Sequence, residues 1–288
     1  MTIDLHIHSK NCSDGNLLIK EIIEEARTRN IDLLSITDHD SVACQVEAKT
    51  LALENNIQYL SGVELNVDFH HSNYYNGKHV SLDFLGYGFD IEDRKLKDKL
   101  EEIRRFRDKR AEKILEKINV EFSKEGIMKL TMFDLHEIRS MADGALGRPH
   151  IANYLMAKGI VENKQEAFDK YLVKCNVPKY PLYLEEASKL LRDAGGVIVL
   201  AHPNDPHGTS LASLTTSLRR QTEIILESLL RYIDGIECWH SRSDDLTSNH
   251  YIEFSKEHRL IMTGGSDCHQ KPILMGTVMV PAFVSDQF

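Results

Sequence analysis

Apolar and polar positions along the first 89 residues follow two alternating periods. Residues 3–8 alternate apolar and polar side chains as a β-strand does, whereas residues 17–30 have the period of an amphipathic helix. Further elements are predicted as strands at 33–37, 58–63 and 78–87 and as a helix at about 42–55. Because strands that alternate with helices are typical of βα units, this part of the chain predicts a parallel sheet.

The pattern changes in the middle of the chain. Residues 90–183 are rich in Lys, Arg and Glu, and their apolar residues recur at helical spacing. The first pattern resumes at Leu184 with a helix that ends at the glycine pair 195–196. Strands are then predicted at 197–201, 235–238 and 260–263. We therefore expect an α/β fold built from residues 1–89 and 184–288, interrupted by a mostly helical insertion.

The composition is that of an ordinary folded protein, with 42% hydrophobic and 27% charged residues. No stretch approaches the roughly 20 apolar residues of a membrane span, and the first residues lack the features of a signal peptide. We therefore expect a cytoplasmic protein without a membrane partner. The formal net charge of −9 argues against a basic surface that wraps nucleic acid, so no stable nucleic-acid complex is expected.

Five cysteines occur at irregular spacing, and none belongs to a Cys-x-x-Cys pair. An odd number without a regular framework favours reduced thiols over disulfides. The five are Cys12, Cys44, Cys175, Cys238 and Cys268.

Potential metal ligands follow the predicted strands. His6 and His8 are two residues apart on the first strand, so both imidazoles point to the same face and suit one divalent cation. Asp14 lies in a Ser-Asp-Gly turn just beyond, where a turn-forming role is the alternative. The later strands end near Asp38, His39, Asp40, Glu64, His202, Asp267 and His269. Since sites in parallel α/β folds form at the carboxyl ends of strands, these groups are expected to converge.

The order of these groups resembles a known family. The motifs are His-x-His at 6–8, Thr-Asp-His-Asp at 37–40, Gly-Val-Glu at 62–64, Ala-His-Pro at 201–203 and Ser-Asp-x-His at 266–269. Together they resemble the polymerase and histidinol phosphatase (PHP) superfamily. The resemblance implies a distorted (β/α)7 TIM-like barrel with two or three divalent metal ions, Mn²⁺, Fe²⁺ or Zn²⁺.

The middle of the chain narrows the resemblance. Gly-Arg-Pro-His at 147–150 and the segment 166–172 are similar to a branch that includes phosphatases of AMP and of 3′,5′-bisphosphates. Other proteins of that branch degrade short RNA or hydrolyse a cyclic phosphate of ribose.

The resemblance also implies a trinuclear ligand set. His6, His8, Glu64 and Asp267 would surround the first metal, Glu64 and His202 the second, and Asp14, His39 and His269 the third. Where many relatives have a histidine three residues before a Gly-Tyr, this chain has Asp83, an oxygen ligand that favours harder metals, with His79 as the alternative. Asp38 and Asp40 are expected to orient imidazoles.

Residues for substrate are harder to choose. Arg148 and His150 are candidates for binding phosphoryl oxygens, although Arg148 could simply start a helix beside Pro149. His207 could contact substrate or assist the leaving group, or lie in an ordinary loop. Trp239 and His240 are expected either to line the pocket or to pack in the core.

A charge-rich helix is expected to present a solvated face, which includes Arg104, Arg105, Arg107 and Arg110.

The expected reaction is hydrolysis of a small nucleotide or sugar phosphate by a hydroxide shared between metals, with no other catalytic group required. The helical insertion would form a lid that limits substrate size. A 5′-exonuclease on short RNA is the alternative. Histidinol phosphatase is disfavoured by the Gly-Arg-Pro-His segment, and a non-catalytic metal-binding module is disfavoured by the intact ligand set.

Overall fold

The computed structural model describes residues 1–74, 77, 79–141, 146–206 and 208–288. Its strands form two sheets. The first sheet has the order β1-β2-β3, with β1 (Ile3–Ile7), β2 (Leu33–Ile36) and β3 (Gln58–Tyr59). The second has the order β4-β5-β6-β7-β8, with β4 (Gly62–Phe69), β5 (Val80–Tyr87), β6 (Val197–Leu200), β7 (Gly235–His240) and β8 (Ile261–Gly265).

The sheets are only partly parallel. The first sheet and the β6-β7-β8 part of the second are parallel, as predicted, but β5 runs antiparallel to both β4 and β6. The strand predicted at 58–63 is two strands, and Glu64 is the third residue of β4 rather than its end. Residues 62–69 alternate apolar and polar side chains, which is the pattern of an antiparallel strand.

The two sheets meet along two seams. Isolated bridges join Ile7 to Cys268 and His39 to Glu64. At the first seam Gly265 packs so closely on β1 that a Cβ there would lie 2.4 Å from the backbone nitrogen of His6. The mixed α/β class is thus confirmed, but the strands form two bridged sheets rather than one closed seven-stranded ladder.

Helices cover the outside of the sheets. In α1 (Ile19–Thr28) the buried residues Ile19, Ile22, Ile23 and Ala26 recur at helical spacing and pack towards the first sheet. The other helices are α2 (Gln45–Glu54), α3 (Arg94–Glu125), α4 (Met132–Met141), α5 (Arg148–Ala157), α6 (Lys164–Ala167), α7 (Leu184–Asp193), α8 (Leu218–Ile224) and α9 (Asp245–His258). Among the described residues, none of the helices combines the length and apolar character needed to cross a membrane.

Helices α3 to α6 pack around an apolar cluster of their own. The side chain of Asp93 accepts a hydrogen bond from the backbone N–H of Leu96 and caps the start of α3. The beginning of α3, including Leu96, packs on the core of the second sheet, whereas Ile118 and Phe122 are fully buried against the helices that follow. The first turns of α3 therefore attach this helical segment to the sheets.

The cysteine prediction is wrong for one pair. Cys12 and Cys44 form a disulfide, and the free thiols are Cys175, Cys238 and Cys268, all buried. Sequence spacing could not show this pair, because it joins the loop after β1 to the residue that precedes α2.

Thiol counting tests the pair directly. Unfolded under non-reducing conditions, the protein should show three reactive thiols, and five after reduction. The Cys44→Ser variant, which lacks one partner, should show four without reduction because Cys12 is then free. Five thiols in the unreduced wild type would contradict the pairing.

Candidate metal centre

His6 of β1 and His8, the first residue after that strand, form the centre of the site. Strand alternation turns His6 and His8 to the same side, and both are buried. Their Nε2 atoms lie 3.1 Å apart. Two imidazole nitrogens at this distance can share at most one proton between them. When neither carries a proton, both lone pairs point to the same position, where a cation could bind.

Two carboxylates complete a cage around that point. Oε2 of Glu64 lies 3.4 Å from His6 Nε2 and 3.1 Å from His8 Nε2. Oδ1 of Asp267 lies 3.4 Å from His6 Nε2 and 3.3 Å from His8 Nε2. A tetrahedral cation with bonds of about 2.0–2.1 Å spaces its ligands by about 3.3 Å. Since the buried Glu64 Oε2 has no hydrogen-bond partner among the described residues, the residues fit a bound cation.

A second group extends from the other oxygen of Glu64. His202 Nε2 lies 3.1 Å from Glu64 Oε1, and Asp83 is farther away, with Oδ2 4.0 Å from His202 Nε2. Burial, reinforced by the charge of Glu64, raises the pKa of Asp83 to about 7. The alternative ligand His79 is exposed and bonds to Asp68, so the structure favours Asp83 over His79.

A third group opens towards solvent. Ligand atoms of His8, Asp14, His39 and His269 all lie within 4.8 Å of one another. Asp14 Oδ1 is 3.3 Å from His269 Nε2 and 3.9 Å from His39 Nε2. Asp14, His39 and His269 are partly exposed, in contrast to His8, which is buried like His6 and Glu64. The structure thus brings the nine expected ligands into one continuous cluster, with Asp83 at its edge.

When no cation is present, the carboxylates favour the charged forms of His8 and His202, whereas burial lowers the pKa of His39 to about 4. Burial alone would lower the pKa of His8, but hydrogen bonds and charges of Asp267 and Glu64 outweigh it and raise the pKa to about 10. Burial would also lower the pKa of His202, but the hydrogen bond and the charge of Glu64 outweigh it and raise that pKa to about 9.

The two aspartates expected to orient imidazoles have other partners. Asp38 accepts hydrogen bonds from the backbone N–H and the hydroxyl of Ser9, both at 2.7 Å, and so holds the turn after His8. Asp40 accepts from the backbone N–H of Asn66 and forms an ion pair with Arg107 of α3. Asp40 therefore links the helical segment to the site.

Sequence reasoning missed Glu237 and Arg242 at the cluster, and His240, which it left open between pocket and core, also lies there. Glu237 and His240 are buried on β7, 3.0 Å from His6 Nδ1 and 3.4 Å from Asp267 Oδ2 respectively. Arg242 donates to Asp205 and Asp267. A lone carboxylate inside the apolar run 235–238 was the signal available for Glu237. Trp239, in contrast, is partly buried, packs on the apolar core and contacts the exposed ring of Phe283.

A cavity of about 390 Å³ opens above the cluster. Its far wall comes from the helical segment and includes Arg148, whose guanidinium lies over the ring of Phe168. His150 is not part of the lining; its Nδ1 accepts the backbone N–H of Gly147 and caps α5. His207 lies outside the described residues.

Three more cations of the helical segment line the same cavity: Arg107, Arg110 and Lys179. The expectation of a solvated face thus fails for Arg107 and Arg110, because α3 turns these residues towards the site. Arg110 donates to the backbone carbonyl of Val177 and to the side chain of Asn176. In the described part of the chain no carboxylate forms an ion pair with Arg110, Arg148 or Lys179, so these three charges remain available to an anion.

Metal binding should release protons. Since His8 and His202 are protonated below their raised pKa values of about 10 and 9, a cation must displace protons at neutral pH. Affinity should therefore increase as the pH rises towards these values and level off above them. Calorimetry in two buffers of different ionisation enthalpy measures the release. An affinity that does not change between about pH 6 and about pH 9 would contradict this charge balance.

The chain is similar to known proteins along most of its length. Over 276 residues the chain is 31% identical to a 3′,5′-nucleoside bisphosphate phosphatase from Chromobacterium violaceum, covering 93% of this chain and 87% of the relative. It is also 31% identical over 210 residues to a 5′-3′ exoribonuclease from Haemophilus influenzae, covering 69% and 68%.

Solved structures agree. A protein from Bifidobacterium adolescentis described as a candidate metal-dependent phosphoesterase superposes with a TM-score of 0.79 at 25% identity, covering 99% of this chain and 94% of the other. An amidohydrolase from Chromobacterium violaceum, solved with bound sulfate, gives a TM-score of 0.78 at 26% identity, with 99% and 93% covered.

The family itself is identified by a sequence model. The PHP domain model matches residues 4–185, which contain all six proposed ligands that precede the helical segment and the whole of that segment up to α7. The expectation from the motifs is therefore confirmed. This chain belongs to the PHP domain family and is a metal-dependent phosphoesterase.

Proposed function

We propose that this protein hydrolyses the phosphate ester of a small nucleotide or sugar phosphate, such as AMP, a 3′,5′-bisphosphonucleotide or a ribose cyclic phosphate. The observation that carries the proposal is the cage of His6, His8, Glu64 and Asp267 at the floor of a cavity whose opposite wall is cationic. A cavity of about 390 Å³ falls in the range of small-ligand sites.

The cage and its two extensions would hold two or three divalent ions, Mn²⁺, Fe²⁺ or Zn²⁺. When bound, such cations lower the pKa of water and neutralise charge on phosphoryl oxygens. Glu64 would bridge two ions, because its oxygens face His8 and His202 separately. Asp83 in place of a histidine would bias the second position towards Mn²⁺, since carboxylate oxygen suits harder metals.

The helical segment 90–183 would act as a lid on a distorted barrel. Arg148, Arg110 and Lys179 reach the cavity from this segment and would bind a substrate phosphate by charge-assisted hydrogen bonds. Arg242 approaches from the opposite side, where it already contacts Asp267. Positive charge on both sides of the cavity would orient an anionic substrate above the cage.

Exonuclease action on short RNA is the second candidate. A groove of about 730 Å³ adjoins the cavity, and Arg107 lines both of them. Arg107 and Asp40 also line a small space between α3 and the strands. A short strand could follow this groove past Arg104 and Arg139. The likeness to the Haemophilus exoribonuclease supports this candidate, while the net charge of −9 disfavours longer nucleic acid.

Substrate and metal dependence can be tested together. The wild type, assayed with added Mn²⁺ and with chelator, should release phosphate from AMP, a 3′,5′-bisphosphonucleotide or ribose cyclic phosphate only with metal. The His202→Ala variant should lose at least about 100-fold in kcat/KM because a ligand is gone, whereas His79→Ala, at an exposed histidine, should keep full activity.

The outcomes separate the candidates. Inert small substrates with rapid degradation of short RNA would favour the exonuclease, and turnover of histidinol phosphate alone would overturn both. Full activity of the His202→Ala variant would contradict the proposed ligand set.

The cationic wall should select for a second phosphate. Arg148→Ala and Lys179→Ala should each raise KM for the bisphosphonucleotide by about 10-fold or more and change KM for AMP much less, since one charged hydrogen bond contributes about 1.5–3 kcal/mol. Arg105→Ala, on the exposed side of α3, is the matched control. Equal effects on the two substrates would assign these residues to the reacting phosphate instead.

A further inference from the structure

Glu237 has a role that neither the motifs nor the ligand set assigns. Its carboxylate is buried beneath the cluster, on the side opposite Glu64. Oε1 lies 3.0 Å from Nδ1 of His6, and Oε2 accepts the backbone N–H of His202 at 2.8 Å. Both oxygens are therefore committed to residues that are proposed to bind different cations.

No arginine or lysine among the described residues forms an ion pair with Glu237. Burying a carboxylate costs several kcal/mol unless strong hydrogen bonds offset it. The partners that the structure provides are the imidazole of His6 and the backbone of His202. A buried charge with only these partners points to a role at the cluster rather than in general stability.

The contact with His6 fixes which ring nitrogen faces the cage. An ionised carboxylate only accepts hydrogen bonds, so Nδ1 of His6 must carry the proton that is donated to Glu237. When the ring is neutral, the unprotonated position is then Nε2, which faces Glu64 and Asp267. This is the tautomer that a metal ligand needs.

The contact with His202 holds an unusual backbone. His202 has φ of +24°, in the left-handed region that a residue with a side chain adopts only at a cost in conformational energy. The following residue is Pro203, which has no N–H to support the turn. The hydrogen bond from the N–H of His202 to Glu237 therefore anchors the turn that directs this imidazole towards Glu64.

We propose that Glu237 is a positioning residue that sets two neighbouring cation sites at once, through the ring orientation of His6 and the backbone of His202. The inference rests on the proposed function, because it takes both histidines as ligands. Glu64 would connect the two sites by binding both cations. Glu237 connects them on the opposite side, through its hydrogen bonds to His6 and to the backbone of His202.

Glu237→Gln is the informative variant because it preserves size. Two N–H donors face the side chain, but an amide has a single oxygen to accept them, so one contact must be lost or His6 must change tautomer. Affinity for Mn²⁺, measured from the electron paramagnetic resonance signal of the free ion, should fall about 10–100-fold. Glu227→Gln, which removes an exposed carboxylate from its ion pair with the buried His71, is the control and should bind as the wild type does.

A second measurement needs no variant. In the Zn²⁺-loaded wild type, ¹H–¹⁵N spectra should show a slowly exchanging proton on Nδ1 of His6, because that proton is buried and bonded to Glu237. Its absence would overturn the inference, as would Mn²⁺ affinity of Glu237→Gln equal to that of Glu227→Gln. If the wild type itself binds no Mn²⁺ or Zn²⁺ in stoichiometric amount, the proposed function fails together with the inference.

Discussion

The carboxylate of Glu64 is the interaction on which the site depends. One of its oxygens lies within 3.1–3.4 Å of His6, His8 and His39, and the other lies 3.1 Å from His202. Four imidazoles surround this one buried carboxylate, whose Oε2 has no hydrogen bond of good geometry among the described residues. A cation bound there would supply the missing partner and would account for the cluster.

The fold serves this arrangement by bringing distant strands to one point. His6 lies on β1, Glu64 on β4 and Asp267 just after β8, and the close packing of Gly265 on β1 keeps the first and last strands together. The helical segment then adds what the sheets lack, a cationic wall opposite the cage. The ion pair between Arg107 and Asp40 connects that wall to the strands.

The sequence predicted the groups that occupy strand ends, because strand ends are local features and motifs such as Ala-His-Pro mark them. It could not predict groups that depend on how distant elements meet. Arg107 and Arg110 look like part of a solvated helix face until α3 is placed against the sheets. The role of Glu237 becomes visible only when its contacts with His6 and His202 are known. The antiparallel β5 and the Cys12–Cys44 pair were missed because both depend on long-range pairing.

The most direct test of the account is an anomalous difference map from a crystal of the Mn²⁺-loaded protein. The account predicts a strong peak inside the cage, at a bonding distance of about 2.0–2.3 Å from His6 Nε2, His8 Nε2, Glu64 Oε2 and Asp267 Oδ1. A loaded, active crystal with metal peaks only outside this cage would contradict it.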